Sequence, residues 1–508
     1  MRLTRRGLLR RGGASAAAVG TLGALAAPGR AAAQRDDAPR RALLVVLPLV
    51  RADYVKAFEG GSGADTPNID ELTGDSLRFD RAIPECMPSL PVRRTLVTGM
   101  RSFPFRDWKR TEGMPALPGY NPVWWWQPVM TETMRAGGMN TTYVTDNPIV
   151  GGERFPDAHR PAGSAPVDSG AESGVKGEIA ALGRATKATE RTFRAGIDSL
   201  PEPGGTEAAF VAIDPFDPLD AVQAPPIYVR PGEVDKEGVG PMSDRLVELR
   251  FSGGDVDELR DAYRKHVELV DGWVGRLMNE VPGDMLVFML GDIGMALGEH
   301  DYIGRGTPTS HRESYEIPYL IRHPDGDKGG DEVDWYASTH DVAPTLLSYL
   351  GLTIPGKMWG EDLTALFDDV DEEDVYDRPF SITASGQLII VRDKRWLKVA
   401  DREEIERRLY DDDEEADDDN DDKRYDDVAN DEPGVLTDMS VAALTVAGGT
   451  LPEFGPEGAL RPPRQRGDDD SDDDGIPNDF DAVDNDEPDD DDEPEDRAFD
   501  GRDPADRQ

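Results

Sequence analysis

The stretch with the clearest capacity for chemistry is Ser89–Gly99, whose sequence is SLPVRRTLVTG. Pro91 suits the first turn of a helix, where a missing backbone N–H costs little, so Ser89 falls at or just before a helix N-terminus. Backbone N–H groups and the helix dipole favour an anion at that point. Arg93 follows one turn later and could hold a tetrahedral oxyanion or a developing alkoxide. The spacing predicts a nucleophilic serine with a cation behind it. The alternative is an ordinary N-cap serine with a surface arginine.

A second group of residues suited to chemistry lies in an aspartate-rich C-terminal tail. Carboxylates alternate before Gly475 at Asp470, Asp472 and Asp474, and Asp481 stands at the twelfth position of the loop that Asp470 begins. This spacing is typical of a calcium-binding loop, and DDDSDDDGIPNDFD resembles the thrombospondin type 3 calcium repeats. A purely solvated acidic run explains the same residues, since aspartate is abundant throughout the tail. Both interpretations stay open.

Charge is distributed unevenly along the chain. Its 508 residues allow roughly two to four units of about 150 residues. Residues 401–508 carry 42 acidic and 11 basic side chains, which is a net charge of −31 out of −46 for the whole chain. This argues against nucleic acid as a partner and for a solvated or cation-binding tail or a high-salt habitat. Cys86 is the single cysteine, so the chain has no intramolecular disulfide.

Residues 1–33 have the organisation of a targeting segment. Thr4–Arg10 (TRRGLLR) resembles a twin-arginine signal, an apolar stretch follows at 14–27, and Ala31–Ala33 matches a cleavage site. We therefore expect export by the twin-arginine route, which carries folded proteins, and a secreted, periplasmic or cell-surface location. No other run is apolar for long enough to cross a bilayer, so we expect no membrane span.

Hydrophobic patterning predicts the elements that would position Ser89. Continuous apolar runs at 42–47, 208–213, 286–290 and 317–321 are typical of buried strands. The apolar positions of 256–281 recur at helical spacing. Strands that alternate with helices predict a parallel α/β sheet with its chemistry at the carboxyl ends of the strands.

The pattern changes near residue 380. Short alternating strands at 381–383, 388–391 and 396–399 predict a small antiparallel subdomain, in which we expect 402–409 to be a helix. The predicted domains are a signal peptide (1–33), an α/β domain (40–375), a C-terminal subdomain with an acidic loop (376–455) and an acidic tail (456–508).

Five segments, in order along residues 40–430, resemble the sulfatases of the alkaline phosphatase superfamily. They are ALLVVLPLVRADYV, TPNIDELTGDSLRFDRAI, SLPVRRTLVTG, VFMLGDIGMALGEHDYIGRGTP and STHDVAPTLLSYLGL. The resemblance implies an alkaline-phosphatase-like α/β fold: a central, mainly parallel sheet flanked by helices, plus a small C-terminal α+β subdomain. It also implies that Ser89 is the precursor of formylglycine, whose hydrate attacks the sulfate sulfur. Arg305 stands where the family has a lysine that contacts sulfate.

The resemblance further implies a divalent metal site, usually calcium, and here the sequence departs from the family. Asp292 remains as a residual ligand after a late strand. The other family positions for a metal ligand, or for a His or Lys near the sulfate, hold Pro48, Leu49, Asp146, Asn147, Phe216 and Ile293. Pro, Leu and Ile offer no side-chain oxygen, whereas calcium takes about six to eight oxygen ligands. We therefore do not expect the family's active-site calcium to be retained.

Three functions fit this sequence. The first is an exported sulfuric ester hydrolase with Ser89 as nucleophile precursor and weak activity. The second is a non-catalytic, sulfatase-like binding or surface protein. The third is a phosphatase or phosphodiesterase of the same superfamily. It is less well supported, because such enzymes need even more metal ligands. The expected partner is a sulfated or other anionic small molecule or glycan.

Overall fold

The computed structural model describes residues 40–58, 63–109, 111, 118–147, 149–150, 152–161, 174–216, 253–298, 303–305, 312–368, 380–385, 388–401, 407–411 and 427–451. The predicted signal peptide, most of the acidic loop and the whole tail lie outside these residues. The four candidate calcium ligands Asp470, Asp472, Asp474 and Asp481 therefore stay untested.

Strands and helices alternate along most of the described chain. The strands are β1 (Arg41–Leu47), β2 (Leu77–Ile83), β3 (Asn140–Thr145), β4 (Ala158–His159), β5 (Ala209–Asp214), β6 (Met285–Gly291), β7 (Met295–Leu297), β8 (Ile303–Arg305), β9 (Tyr319–Arg322), β10 (Glu332–Ser338), β11 (Ser381–Ala384), β12 (Leu388–Arg392), β13 (Trp396–Asp401) and β14 (Arg407–Asp411). The α-helices are α1 (Pro67–Gly74), α2 (Ser89–Thr98), α3 (Met130–Ala136), α4 (Gly174–Ile197), α5 (Gly253–Glu280), α6 (Val342–Tyr349) and α7 (Pro433–Val446). Short 3₁₀ turns include Thr339–Asp341 before α6 and Leu363–Phe367 after it.

The described residues form one large sheet and two small ones. The large sheet has the order β10-β2-β9-β6-β1-β5-β3-β4. Its described strand pairs are parallel except those that β9 makes with β2 and β6. Strands β11 to β14 form an antiparallel meander, and β7 pairs with β8. The predicted α/β class, with a mainly parallel central sheet and a small C-terminal subdomain, is confirmed.

The centre of the large sheet is buried on both faces. Every residue of β1 is buried, as a continuous apolar run predicts. Because side chains alternate along a strand, Leu43 and Val45 enter one hydrophobic cluster while Leu44 and Val46 enter the other. Helices therefore cover both sides of β1 and leave only its ends for a site.

Helix α5 packs on one of these faces through the side chains that the sequence places at helical spacing. Its buried residues include Leu259, Tyr263, Val267, Val270, Val274 and Leu277. The predicted helix at 256–281 is confirmed. Within the described part of the chain, no helix is both long and apolar enough to cross a bilayer.

The C-terminal subdomain corrects one prediction and adds one element. We expected a helix over 402–409, but residues 407–411 form β14, in which Leu409 pairs with Lys398 of β13. Leu409 and Tyr410 are buried, so packing against the neighbouring strand outweighs the local helical preference of this charged stretch. Helix α7 packs against the same sheet through Met439 and Ala443 and was not predicted.

Candidate active site

The site lies where the carboxyl ends of three adjacent strands meet. Strand β1 lies between β5 and β6 and runs parallel to both, so Asp214 at the end of β5 and Asp292 just after β6 come to the same edge. Helix α2 begins at this edge with Ser89, and Pro91 lies in its first turn. The structure thus brings Ser89, Arg93 and Asp292 together. It adds Asp214, to which sequence reasoning assigned no role.

Arg93 is the centre of this group. Its Nε donates to Asp214 Oδ1 at 3.0 Å and its Nη1 donates to Asp292 Oδ2. Nη2 donates to the carbonyl oxygen of Pro215 at 3.1 Å, and Nη1 also approaches the carbonyl oxygen of Ser89 at 3.4 Å. The side chain is 0% exposed. The alternative of a surface arginine is therefore wrong.

Burial and charge act in opposite directions on this cluster. Burial tends to lower the pKa of Arg93, but Asp214 and Asp292 outweigh it and raise that pKa above its ordinary value. Burial raises the pKa of Asp214, and the charge of Arg93 opposes the rise. Burial and Asp214 together raise the pKa of Tyr143, whose hydroxyl donates to Asp214 at 3.2 Å. With both carboxylates ionised, one guanidinium faces two negative charges and the triad carries a net charge of −1.

Both carboxylate oxygens of Asp292 are occupied by donors. Oδ1 accepts the backbone N–H groups of Leu49 and Ile293, each at 2.7 Å. Oδ2 accepts from Arg93 and lies 3.3 Å from Ser89 Oγ. A carboxylate oxygen offers about two lone-pair directions, so these four donors fill the group.

The turn that supplies the Leu49 N–H is held in place from α5. Leu49 has φ of 56°, in the left-handed region that non-glycine residues occupy only at a cost. The Tyr263 hydroxyl donates to the Leu49 carbonyl oxygen at 2.7 Å and accepts from the Arg51 N–H at 3.0 Å. His266 Nε2 lies 2.8 Å from the Pro48 carbonyl oxygen. These contacts of α5 stabilise the strained turn, and they could not be read from the sequence because α5 is about 200 residues away.

The residues at the edge do not fit a divalent cation. Leu49 and Ile293 are buried and, like Pro48, lack a side-chain oxygen. The oxygens of Asp292 are filled by four donors, and Asp214 accepts from Arg93 and Tyr143. A hard cation needs several available oxygen ligands. Among the described residues at this edge, the side chains present do not form a set of ligands that fits the calcium implied by the resemblance, and the cofactor prediction itself stays untested.

The other replaced positions are built into the fold. The Phe216 ring packs against the Arg93 guanidinium, with 5.1 Å between the Cζ atom of Arg93 and the ring centroid. Asp146 is buried and paired with Arg191 at 3.1 Å. Asn147 accepts the Ile149 N–H through its side-chain oxygen at 3.0 Å. These side chains serve packing, ion pairing and turn formation in the described structure.

Arg305 is the remaining predicted site residue. It ends β8 and is paired through its backbone with Met295 of β7. Strand β7 begins three residues after Asp292, so the backbone of this hairpin is close to the site in sequence. The position of the Arg305 side chain is outside the described structure, and its contact with an anion stays a prediction.

Comparison with known proteins agrees with the fold. Residues 202–352 match the Sulfatase family model. The multifunctional alkaline phosphatase superfamily protein PehA of Trinickia caryophylli is 22% identical over 448 residues, which cover 70% of this chain and 86% of that protein. An ulvan-active sulfatase of Formosa agariphila is 24% identical over 362 residues, which cover 67% of each protein.

Solved structures show the same likeness. A 2-O GAG sulfatase superposes with a TM-score of 0.62 at 14% identity, over 81% of this chain and 93% of that one. The phosphonate monoester hydrolase of Agrobacterium radiobacter superposes with a TM-score of 0.57 at 19% identity, over 84% and 100%. These two likenesses concern the fold. The match to the Sulfatase model and the two curated relatives support the sulfatase family of the alkaline phosphatase superfamily as the family of this chain, and the solved structures share its fold.

Proposed function

We propose that this chain is an exported sulfatase-family protein whose hydrolytic centre is silent or weak, and that it acts by binding. The observation that carries the proposal is the closed network around Asp292. The carboxylate that the family uses for metal is saturated by two backbone N–H groups, Arg93 and Ser89. A centre in this state has no place for the cation on which sulfate ester hydrolysis in this family relies.

The charge of the centre also opposes a sulfate ester. Divalent cations stabilise developing negative charge by several kcal/mol at sites of this kind. Here the positive charge belongs to Arg93, which is buried and outnumbered by Asp214 and Asp292. Ser89 is only 4% exposed. A sulfate group that approached Ser89 would meet net negative charge and little open surface.

The histidine that often protonates the leaving group in the family is also missing from its position. General acid catalysis requires a group that can donate a proton within hydrogen-bond reach of the leaving oxygen. Phe216 occupies the position where the family often has histidine, and a phenyl ring donates no proton. His266 is near the edge, but it contacts the Pro48 carbonyl oxygen and burial lowers its pKa.

A sulfuric ester hydrolase is the second candidate, and the convergence of Ser89, Arg93 and Asp292 favours it. Conversion of Ser89 to formylglycine would supply a nucleophile that the unmodified hydroxyl does not. The ulvan-active sulfatase among the relatives is consistent with this activity. A phosphatase or phosphodiesterase is less well supported, because it would need two metal ions where Asp214 and Asp292 already share one guanidinium.

For the ligand we propose a sulfated or other anionic small molecule or glycan. Arg93 is unsuited to hold it, since its donors are directed to carboxylates and backbone carbonyls. Arg305 is the candidate cation that the sequence supplies near this edge. Relatives described as sulfatases, including an N-acetylglucosamine-6-O-sulfatase of Bacteroides thetaiotaomicron, support this ligand class.

Mass spectrometry of the 81–94 peptide from protein made in its native host tests the proposal. We expect unmodified serine at 89 and no aryl sulfate hydrolysis that distinguishes the wild type from a Ser89→Ala variant. Formylglycine at 89, together with hydrolysis that the variant loses, would overturn the silent centre and establish the hydrolase. Hydrolysis retained by the variant would place the nucleophile elsewhere and would also contradict the proposal.

A further inference from the structure

A cluster of metal-ligating side chains lies at the opposite edge of the large sheet from Ser89. Strand β9 runs antiparallel to β6, so its carboxyl end points away from the edge that holds Asp292. The loop that leaves β9 has the sequence His323-Pro-Asp325-Gly-Asp327 and leads to β10. One nitrogen of His323 and one carboxylate oxygen each of Asp325 and Asp327 lie within 4.8 Å of one another.

The imidazole of His323 is fixed before any ligand arrives. It is 5% exposed, and its ring packs edge-on against Tyr349 at 5.8 Å and tilted against Phe367 at 5.1 Å. The Asp325 N–H donates to Nδ1 at 3.3 Å, and a cation bound at Nδ1 would displace this hydrogen bond. Because the ring is held by packing and its Nδ1 already lies beside two carboxylates, little further ordering of His323 is needed when a cation binds.

The distances suit a transition metal of the zinc type. For metal bonds of about 2.0–2.1 Å, two ligand atoms at neighbouring tetrahedral corners lie roughly 3.3–3.4 Å apart. His323 Nδ1 lies 3.3 Å from Asp327 Oδ2 and 3.7 Å from Asp325 Oδ2. Asp325 is 70% exposed, so its side chain can rotate to complete the set. One imidazole nitrogen with two carboxylates favours zinc over calcium, which prefers oxygen ligands alone.

The charge around the cluster favours a cation. Lys328, the basic side chain of this loop, approaches Asp331 at 3.8 Å. The chain as a whole carries a net charge of −46, so its field attracts divalent cations. We propose that His323, Asp325 and Asp327 bind Zn²⁺, or a divalent ion of the same ligand preference, and thereby fasten the β9–β10 loop to the aromatic base formed by Tyr349 and Phe367. This site is independent of the centre at Ser89.

Equilibrium dialysis of the full-length protein against Zn²⁺ with calcium in excess tests the site. Excess calcium occupies sites made of carboxylates alone, including those of the acidic tail, so that retained Zn²⁺ reports a nitrogen-containing site. We expect a single Zn²⁺ per wild-type chain. Asp325→Asn and Asp327→Asn should each weaken its binding by about tenfold or more. Co²⁺ in its place should give a visible absorption band that the same variants lose.

Asp331→Asn is the matched control, because it removes a charge of the same loop without touching the three ligands. It should retain Zn²⁺ like the wild type. A His323→Phe variant should also lose Zn²⁺, and the variants at Asp325 and Asp327, whose side chains are 70% and 38% exposed, keep the test valid if it fails to fold. Failure of wild-type protein to retain Zn²⁺, or equal retention by all variants, overturns the site. A thermal shift that follows pH without any Zn²⁺ retention would assign the cluster to a protonated histidine and would overturn it too.

Discussion

At the scale of single residues, the centre of this protein is defined by the buried pairs that Arg93 forms with Asp214 and Asp292. The family resemblance implies a metal ion beside Asp292, and the structure has the Arg93 guanidinium there, shared with Asp214. Desolvation of three charges is costly, and the cost is offset only because the donors and acceptors match closely. The triad is therefore expected to act as a structural ion cluster.

Replacement of Arg93 by methionine should be strongly destabilising. The variant leaves Asp214 and Asp292 buried side by side without a cation, and loss of one partner of a buried ion pair costs about 3–5 kcal/mol. Chemical denaturation measures the change in the free energy of unfolding. Arg194→Met is the control, because Arg194 is 64% exposed and its pair with Glu190 contributes less than about 1 kcal/mol.

A second substitution distinguishes charge from packing in this centre. Asp292→Asn added to Arg93→Met removes one of the two unpaired carboxylates, so the double variant should be more stable than Arg93→Met alone. If the added substitution lowers the stability further, repulsion between two unpaired carboxylates is not the main cost of Arg93→Met, and the description of an ion cluster fails.

At the scale of elements, buried polar side chains tie helix α2 and the residue segment before it to the segment that follows the helix. Arg94 pairs with Asp107 in the segment that follows the helix. Glu85, just before the helix, accepts the N–H groups of Ser102 and Phe103 at 2.9 and 3.2 Å. These contacts fix the segment 102–107 beside a helix that is buried along its whole length.

Glu85 makes the stability of this region depend on pH. Burial raises its pKa from the ordinary 4.5 to about 7. Between these values the folded protein holds a proton that the unfolded chain releases, so this contribution is complete below about pH 4.5 and declines as pH rises through 7. The whole contribution of Glu85 to the free energy of unfolding is about 3 kcal/mol.

A Glu85→Gln variant isolates this effect, since glutamine does not ionise. It keeps an acceptor oxygen for only one of the two N–H groups, which donate to different oxygens of Glu85, but the cost of that loss does not vary with pH. As pH rises from 4.5 to 7.5, the free energy of unfolding of the variant should increase relative to that of the wild type, as measured by denaturation at each pH. If the stabilities of the two proteins change with pH in parallel, burial does not raise the pKa of Glu85 and the prediction is wrong.

At the scale of the whole molecule, the predicted signal peptide, the α/β domain with its C-terminal subdomain, and the acidic tail have separate predicted roles. Two-thirds of the net charge lies in 401–508, and the candidate calcium loop lies there too, far along the sequence from Asp292. The Ser89 centre and a calcium-binding tail are therefore independent questions, and loss of metal ligands at the centre says nothing against calcium in the tail.

Export is tested by conservative substitution in the signal. Arg5→Lys with Arg6→Lys keeps the positive charge but loses the planar, bidentate guanidinium groups that lysine does not replace. We expect the double variant to accumulate in the cytoplasm, as measured by cell fractionation. Arg10→Lys with Arg11→Lys should be exported normally, and equal export of both variants would contradict the twin-arginine route.

Prediction from the sequence succeeded where local patterning is strong. The apolar runs of β1, β5 and β6 and the helical spacing of α5 predicted their elements because burial on both faces leaves continuous or periodic apolar residues. It failed at β14, where pairing with β13 overrides local preference. Helix α7 was missed for the related reason that its position depends on the sheet it covers.

The sequence by itself determined the fold class, the family and the residues at 48, 49 and 293 that cannot bind a metal, since these follow from residue types and their order. Only the tertiary structure decided which side chains surround Asp292. Asp214, Arg93 and Asp292 lie on elements separated by more than a hundred residues, and the parallel order β5-β1-β6 brings them together. The direction of the Arg93 donors, toward two carboxylates and away from solvent, is a property of that packing, and no spacing along the chain contains it.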